Sequence, residues 1–225
     1  MQYSFHFGQV VSYLPDLLSG AFVSLQIAFI CFWCGMAIGL VWAIALEFGG
    51  RPLRGLARAY VSFFTNTPGL VQIYFIYYAL PDAGLLLSSY QAVVLGITLN
   101  AGGYLTLILR GGFASVHSSE IDAAIALGFS RTQQILYVVL PHIARVLFPP
   151  IGNKFVLMVL GTAVAGVFGV EDLMGRTINA NAESYRTIEL LTMTACIYVA
   201  LTVCATLALT GIGMALFGKR VRFET

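Results

Sequence analysis

Long uncharged runs set the pattern of this chain. Residues 21–46, 59–80, 83–109 and 190–217 carry no charge, and residues 146–170 carry one, Lys154. A helix crossing a bilayer needs roughly 20 apolar residues. The pattern therefore predicts an all-α integral membrane protein with five transmembrane helices at about those positions, in one domain covering residues 1–225. The first run is too long for the apolar part of a cleavable leader, and no basic segment precedes it.

The polar connections predict which way the spans run. Arg51, Arg54 and Arg58 follow the first span, Arg110, Arg131 and Arg145 the third, and Lys219, Arg220 and Arg222 the fifth. The second connection has Asp82 alone, and the fourth mixes Arg176 and Arg186 with four carboxylates. Cations gather on the cytoplasmic side. The alternation places the N-terminus outside and the C-terminus in the cytoplasm, which four spans would not allow.

Composition agrees. The chain is 59% hydrophobic and 10% charged, against about 25% charged for soluble domains. Cys31-x-x-Cys34 lies in uncharged sequence with no histidine nearby, so it reads as helix packing rather than redox or metal chemistry. No metal site and no nucleic-acid partner is expected. Gly35-x-x-x-Gly39 suits close helix approach. Breakers at Thr65-Asn66-Thr67-Pro68-Gly69, at Asn100 with Gly102 and Gly103, and at Pro149-Pro150 predict interrupted spans. Freed backbone groups there must face protein or a wet cavity. Polar groups at that depth are candidates for a substrate path: Asn66, Thr67, Gln72, Asn100, Tyr104, Asn153 and Thr162, with Lys154 either lining it or reaching toward the interface.

The third connection holds a different signal, EIDAAIALGFSRTQQILYVVLP over residues 120–141. Ser119 with Asp122 predicts a capped helix start, the alanines favour helix, and Gly128 a stop. Ser130 with Gln133 predicts a second helix running through Pro141 into the next span. The region 119–135 reads as a cytoplasmic helix–turn–helix whose small-residue face suits docking by another protein.

Asp122-Ala123-Ala124, three residues, Gly128, nine residues, Val138-x-Leu140-Pro141 resembles the EAA signature of importer permeases in the ATP-binding-cassette class. Asp122 and Val138 are conservative departures from it. YLPDLLSG, NTPGLVQIYFIYYALP, TLNAGGYL with RGG, and LFPPIGNKF resemble the polar-amino-acid branch, and the similarity runs over nearly the whole chain. The resemblance implies a type I importer permease fold in a bacterial inner membrane. It implies a second permease subunit, two cytoplasmic ATP-binding subunits and an extracytoplasmic solute-binding protein as partners. Asp122, Ala123, Ala124 and Gly128 would then couple ATP use to transport. No cofactor is expected in this chain, since ATP and magnesium would sit on the ATPase subunits. Gly213-x-x-x-x-Gly218-Lys219 approaches a phosphate loop, but Arg220 replaces the magnesium-binding hydroxyl, and the glycines belong to an apolar span.

Departures matter as well. Many relatives have Arg-Gly-Thr-Pro at residues 65–68, an acidic residue at Leu107 and Lys-Asp-Thr-Ser at residues 160–163. Here these positions are neutral, so either a non-identical permease supplies the charged contacts, the reading favoured over a homodimer, or the external binding protein does most of the recognition. Alternatives within transport are an opine, cystine or an osmolyte as cargo. An intramembrane enzyme is disfavoured because no span holds Asp or Glu and the histidines lie outside the spans. An uncoupled channel would leave the docking helix unexplained.

Overall fold

Helices alone build the described residues, 5–218, of the computed structural model. Lys219, Arg220 and Arg222, expected as cytoplasmic anchors, lie outside them. Helix α1 (Phe7–Val10) continues through a 3-10 turn into α2 (Leu14–Phe48). Then come α3 (Arg51–Asn66), α4 (Gly69–Asp82), α5 (Ser89–Ala114), α6 (Ser118–Ala126) and α7 (Arg131–Gln134). A π-helical turn (Ile135–Val139) leads into α8 (Leu140–Gly161), which ends in a 3-10 segment (Thr162–Phe168). Helices α9 (Leu173–Ser184) and α10 (Thr187–Phe217) complete the chain.

Among the described residues, four helical stretches are long and apolar enough to cross a membrane: Phe7–Phe48, Ser89–Ala114, Arg131–Phe168 and Thr187–Phe217. The stretch expected to cross at 59–80 is made of α3 and α4, of 16 and 14 residues, parted at Thr67 and Pro68. Pro68 has no N–H and pushes Thr67 away from helical geometry, so the chain breaks there. The other two expected interruptions do not occur. Helix α5 runs through Asn100 and both glycines, and α8 runs through Pro149 and Pro150. Gly102 serves close packing instead: a Cβ there would lie 2.6 Å from the Tyr60 hydroxyl and 2.7 Å from Ile38.

Helix α5 starts six residues later than the hydrophobic run suggests. Ser88 Oγ accepts from the Gln91 N–H at 3.2 Å, while Gln91 Oε1 accepts from the Ser88 N–H at 2.9 Å. This reciprocal cap fixes the start. The glycine-bearing stretch 213–217, weighed above as a phosphate loop, is the end of α10.

The chain divides into two units by its internal packing. One comprises residues 5–34, Thr67–Leu99 and Phe155–Ala205. Its core joins Val10, Leu17 and Ala21 to Leu173, Ala180 and Leu190. Asp172, fully buried, caps α9 by accepting the Gly175 N–H at 2.9 Å, and Ser24 donates to its other oxygen at 3.2 Å. The polar fourth connection is thus an organised helix.

The other unit comprises Gly35–Asn66, Asn100–Lys154 and residues 206–218. One cluster sets Ala43 and Leu109 against Ile143 and Leu147. A second sets Ala45 and Leu46 against Ala57 and Val61, with Trp42 stacked on Tyr60 at 5.2 Å. These clusters hold α5 and α8 where the candidate site is built.

Candidate functional site

Helix α6 starts two residues before the expected place. His117 is the N-cap and makes no side-chain cap, so Ser119 falls inside the first turn. The Glu120 carboxylate is 3.2 Å from His142 Nδ1 on α8, which ties the helix to the unit that carries it. The C-terminal stop is as expected. Gly128 adopts φ +76°, the Gly128 N–H donates to Ile125 O at 2.9 Å, and the Phe129 N–H donates to Ala124 O at 3.0 Å. This left-handed cap satisfies carbonyls that the helix end would otherwise leave free. Ser130 and Gln133 form the expected capping box and open α7.

The two alanines of the motif play opposite parts. Ala124 is 2% exposed and packs inward, whereas Asp122, Ala123, Ala126 and Gly128 are exposed. Ile125 and Leu127 are exposed as well, at 57% and 75%. The helix therefore presents a small-residue strip flanked by apolar side chains. After α7 the backbone widens into the π turn. Pro141 cannot donate a helical bond, and its ring would crowd the Tyr137 carbonyl. The wider turn just ahead of it relieves that crowding.

The break after α3 consumes many of the polar groups expected on the path. A helix end leaves carbonyls without partners, and here α5 supplies two. Asn100 Nδ2 donates to Phe64 O at 3.0 Å, and the Tyr104 hydroxyl donates to Thr65 O at 3.3 Å. Asn66 Nδ2 donates to Ser62 O at 2.8 Å. In the other unit, Gln72 Nε2 donates to Thr67 O and Oγ1. Thr162 is fully buried and donates to Val159 O at 2.8 Å. Asn153 is half-buried on α8.

Thus Asn66, Asn100 and Tyr104 meet around the end of α3, Thr67 and Gln72 pair in the other unit, and Thr162 bonds within its own segment. Residue-type reasoning found these groups but not their backbone partners. It also missed the ring under Lys154: the ammonium lies 4.3 Å from the centre of Tyr104.

Comparison with known proteins follows the same lines. Residues 35–222 match the family described as binding-protein-dependent transport system inner membrane component. The glutamine transport system permease protein GlnP of Escherichia coli (strain K12) is 34% identical over 191 residues, 84% of this chain and 87% of that protein. The arginine transport system permease protein ArtQ of Bacillus subtilis (strain 168) is 28% identical, covering 95% of this chain and 96% of that one. A crystal structure of an amino acid ABC transporter with histidines superposes with TM-score 0.87 at 27% identity, covering 97% of this chain and all of that chain. With the motif spacing, the helical architecture and these matches together, the chain belongs to the family of binding-protein-dependent transport system inner membrane components.

Proposed function

We propose that this chain is the permease subunit of an ATP-driven importer of polar amino acids. Five crossings carry the path, with α3 and α4 together making the second, the N-terminus outside and the C-terminus in the cytoplasm of a bacterial cell. Helix α6 docks into a groove of a cytoplasmic ATPase subunit, and a second, non-identical permease completes the pore. An external binding protein delivers the solute. ATP binding draws the ATPases together, and α6 conveys that motion to α8 through the π turn and the Glu120–His142 contact.

One observation carries this reading: a nine-residue helix, ended by a left-handed glycine, that keeps Asp122, Ala123 and Gly128 exposed while Ala124 holds it to its own chain. A short helix is marginal alone, and an exposed small-residue strip has no role in the chain's own packing. The glutamine and arginine permeases among the relatives support an amino-acid cargo.

The test is uptake by vesicles holding this chain, its ATPase, its partner permease and its binding protein, supplied with a panel of amino acids. Uptake that requires ATP and the binding protein is expected. Uptake independent of ATP would support a channel instead.

A further inference from the structure

Lys154 is a cation inside an apolar helix, and two polar groups of the α5 helix it faces are already committed. Asn100 and Tyr104 answer carbonyls of α3. Among the described residues no carboxylate pairs with Lys154, and none of the uncharged runs 21–46, 59–80, 83–109 and 190–217 holds an Asp or Glu. Its ammonium rests on the Tyr104 ring.

A cation–π contact offsets part of the cost of a lysine at span depth and leaves the charge without a counter-ion. The ring also holds the ammonium inward. Lys154 lies nine residues beyond Arg145, about 13 Å along a helix, and Tyr104 lies six residues before Arg110, about 9 Å. Both are inside the arginine row, and the side chain turns to α5 rather than trailing to the interface.

We infer that Lys154, seated on Tyr104, is a binding site for a carboxylate group of the transported solute. The solute is then a carboxylate-bearing small molecule, and the lysine supplies a charge that the neutral path residues cannot. Lys154 is half-buried, so the residue keeps some exposure toward a ligand. The fixed ring aims it, so that a passing carboxylate meets a preset donor. This inference rests on the importer reading above.

The experiment uses the assembled importer in proteoliposomes, with labelled L-glutamine and L-glutamate as probes. Lys154→Gln is expected to lower uptake about tenfold or more, and Lys154→Arg to retain most of it, because hydrogen bonds to charged groups are worth about 1.5–3 kcal/mol. An effect on both probes assigns the α-carboxylate, and an effect on L-glutamate alone assigns the side-chain carboxylate. Unchanged uptake of both by Lys154→Gln overturns the inference.

A second arm reads binding without transport. L-Glutamine, but not its α-carboxamide, should raise the unfolding temperature of the wild-type complex in detergent, and Lys154→Gln should abolish that rise. If the wild type imports neither probe, the amino-acid reading is judged by the full panel above and this arm alone decides on the lysine. No carboxylate-dependent rise in the wild type overturns the inference. Failure of both Lys154→Gln and Lys154→Met to assemble assigns the lysine to the fold and overturns it too.

Discussion

Helix α6 and the break between α3 and α4 use polar and small residues in opposite ways. At the end of α3 the side chains of Asn66, Asn100 and Tyr104 are committed to backbone carbonyls. On α6, Asp122, Ala123 and Gly128 face outward, and the backbone is satisfied by its own glycine cap. Residue type alone marks both regions as functional. Hydrogen-bond accounting separates them: a group already bonded to its own fold is a support, and an exposed strip with a self-sufficient backbone is free for a partner.

The largest expected effect is at Gly128. Tryptophan there faces the left-handed φ, at a cost of about 1–3 kcal/mol, and adds bulk to the exposed strip. Gly128→Trp should abolish ATP-driven uptake while the chain still reaches the membrane. Normal coupled uptake would erase the distinction between the two regions.

A pair of substitutions sharpens it. Ala124→Leu overpacks a buried site and should destabilise the permease by about 1–3 kcal/mol. Ala123→Leu sits on the exposed strip and should leave thermal stability unchanged while weakening ATPase association. Equal stability losses in the two would show that α6 has no free face.

The break between α3 and α4 should respond in stability. Asn100→Ala strips the Phe64 carbonyl of its donor from α5 and should cost about 1–3 kcal/mol. Tyr104→Phe, which keeps the ring under Lys154 and loses a longer bond, should cost less. Thermal unfolding in detergent gives the order, and the reverse order would contradict the assignment of Asn100 as the main support.

The smallest effect concerns pH at Asp172, another committed group. Burial pushes its carboxyl above the ordinary 3.8, against the lowering bonds from Gly175 and Ser24. The folded state therefore holds this proton more readily than the unfolded chain. Stability from this group is fully present below 3.8 and is lost as pH rises through the window above it. Asp172→Asn removes that loss and keeps an acceptor for the cap. Its unfolding temperature relative to wild type should climb as pH rises from about 4, and a constant difference would count against the raised value.

Local chemistry was the legible part of the sequence. Gly128, the Ser130–Gln133 box and the Pro68 break depend on residues within a turn of each other, so their types announced them. The Ser88–Gln91 cap was equally local, but the apolar run hid it. Reading breaks from Asn100, Gly102 and Pro149-Pro150 went astray for two reasons. Gly102 answers to Ile38 and Tyr60, which are remote in sequence. Prolines within a membrane helix are tolerated where neighbours re-satisfy the backbone. The seat of Lys154 on Tyr104 joins residues fifty positions apart and had no local signature.

The most direct measurement places one exposed and one buried position of α6. In a background lacking Cys31, Cys34, Cys196 and Cys204, Ala123→Cys and Ala124→Cys are treated with a membrane-impermeant maleimide on inside-out and right-side-out vesicles. The account predicts fast labelling of Ala123→Cys from the cytoplasmic side only, suppressed when the ATPase is assembled, and slow labelling of Ala124→Cys throughout. Labelling of Ala123→Cys from the outside, or no protection by the ATPase, would contradict it.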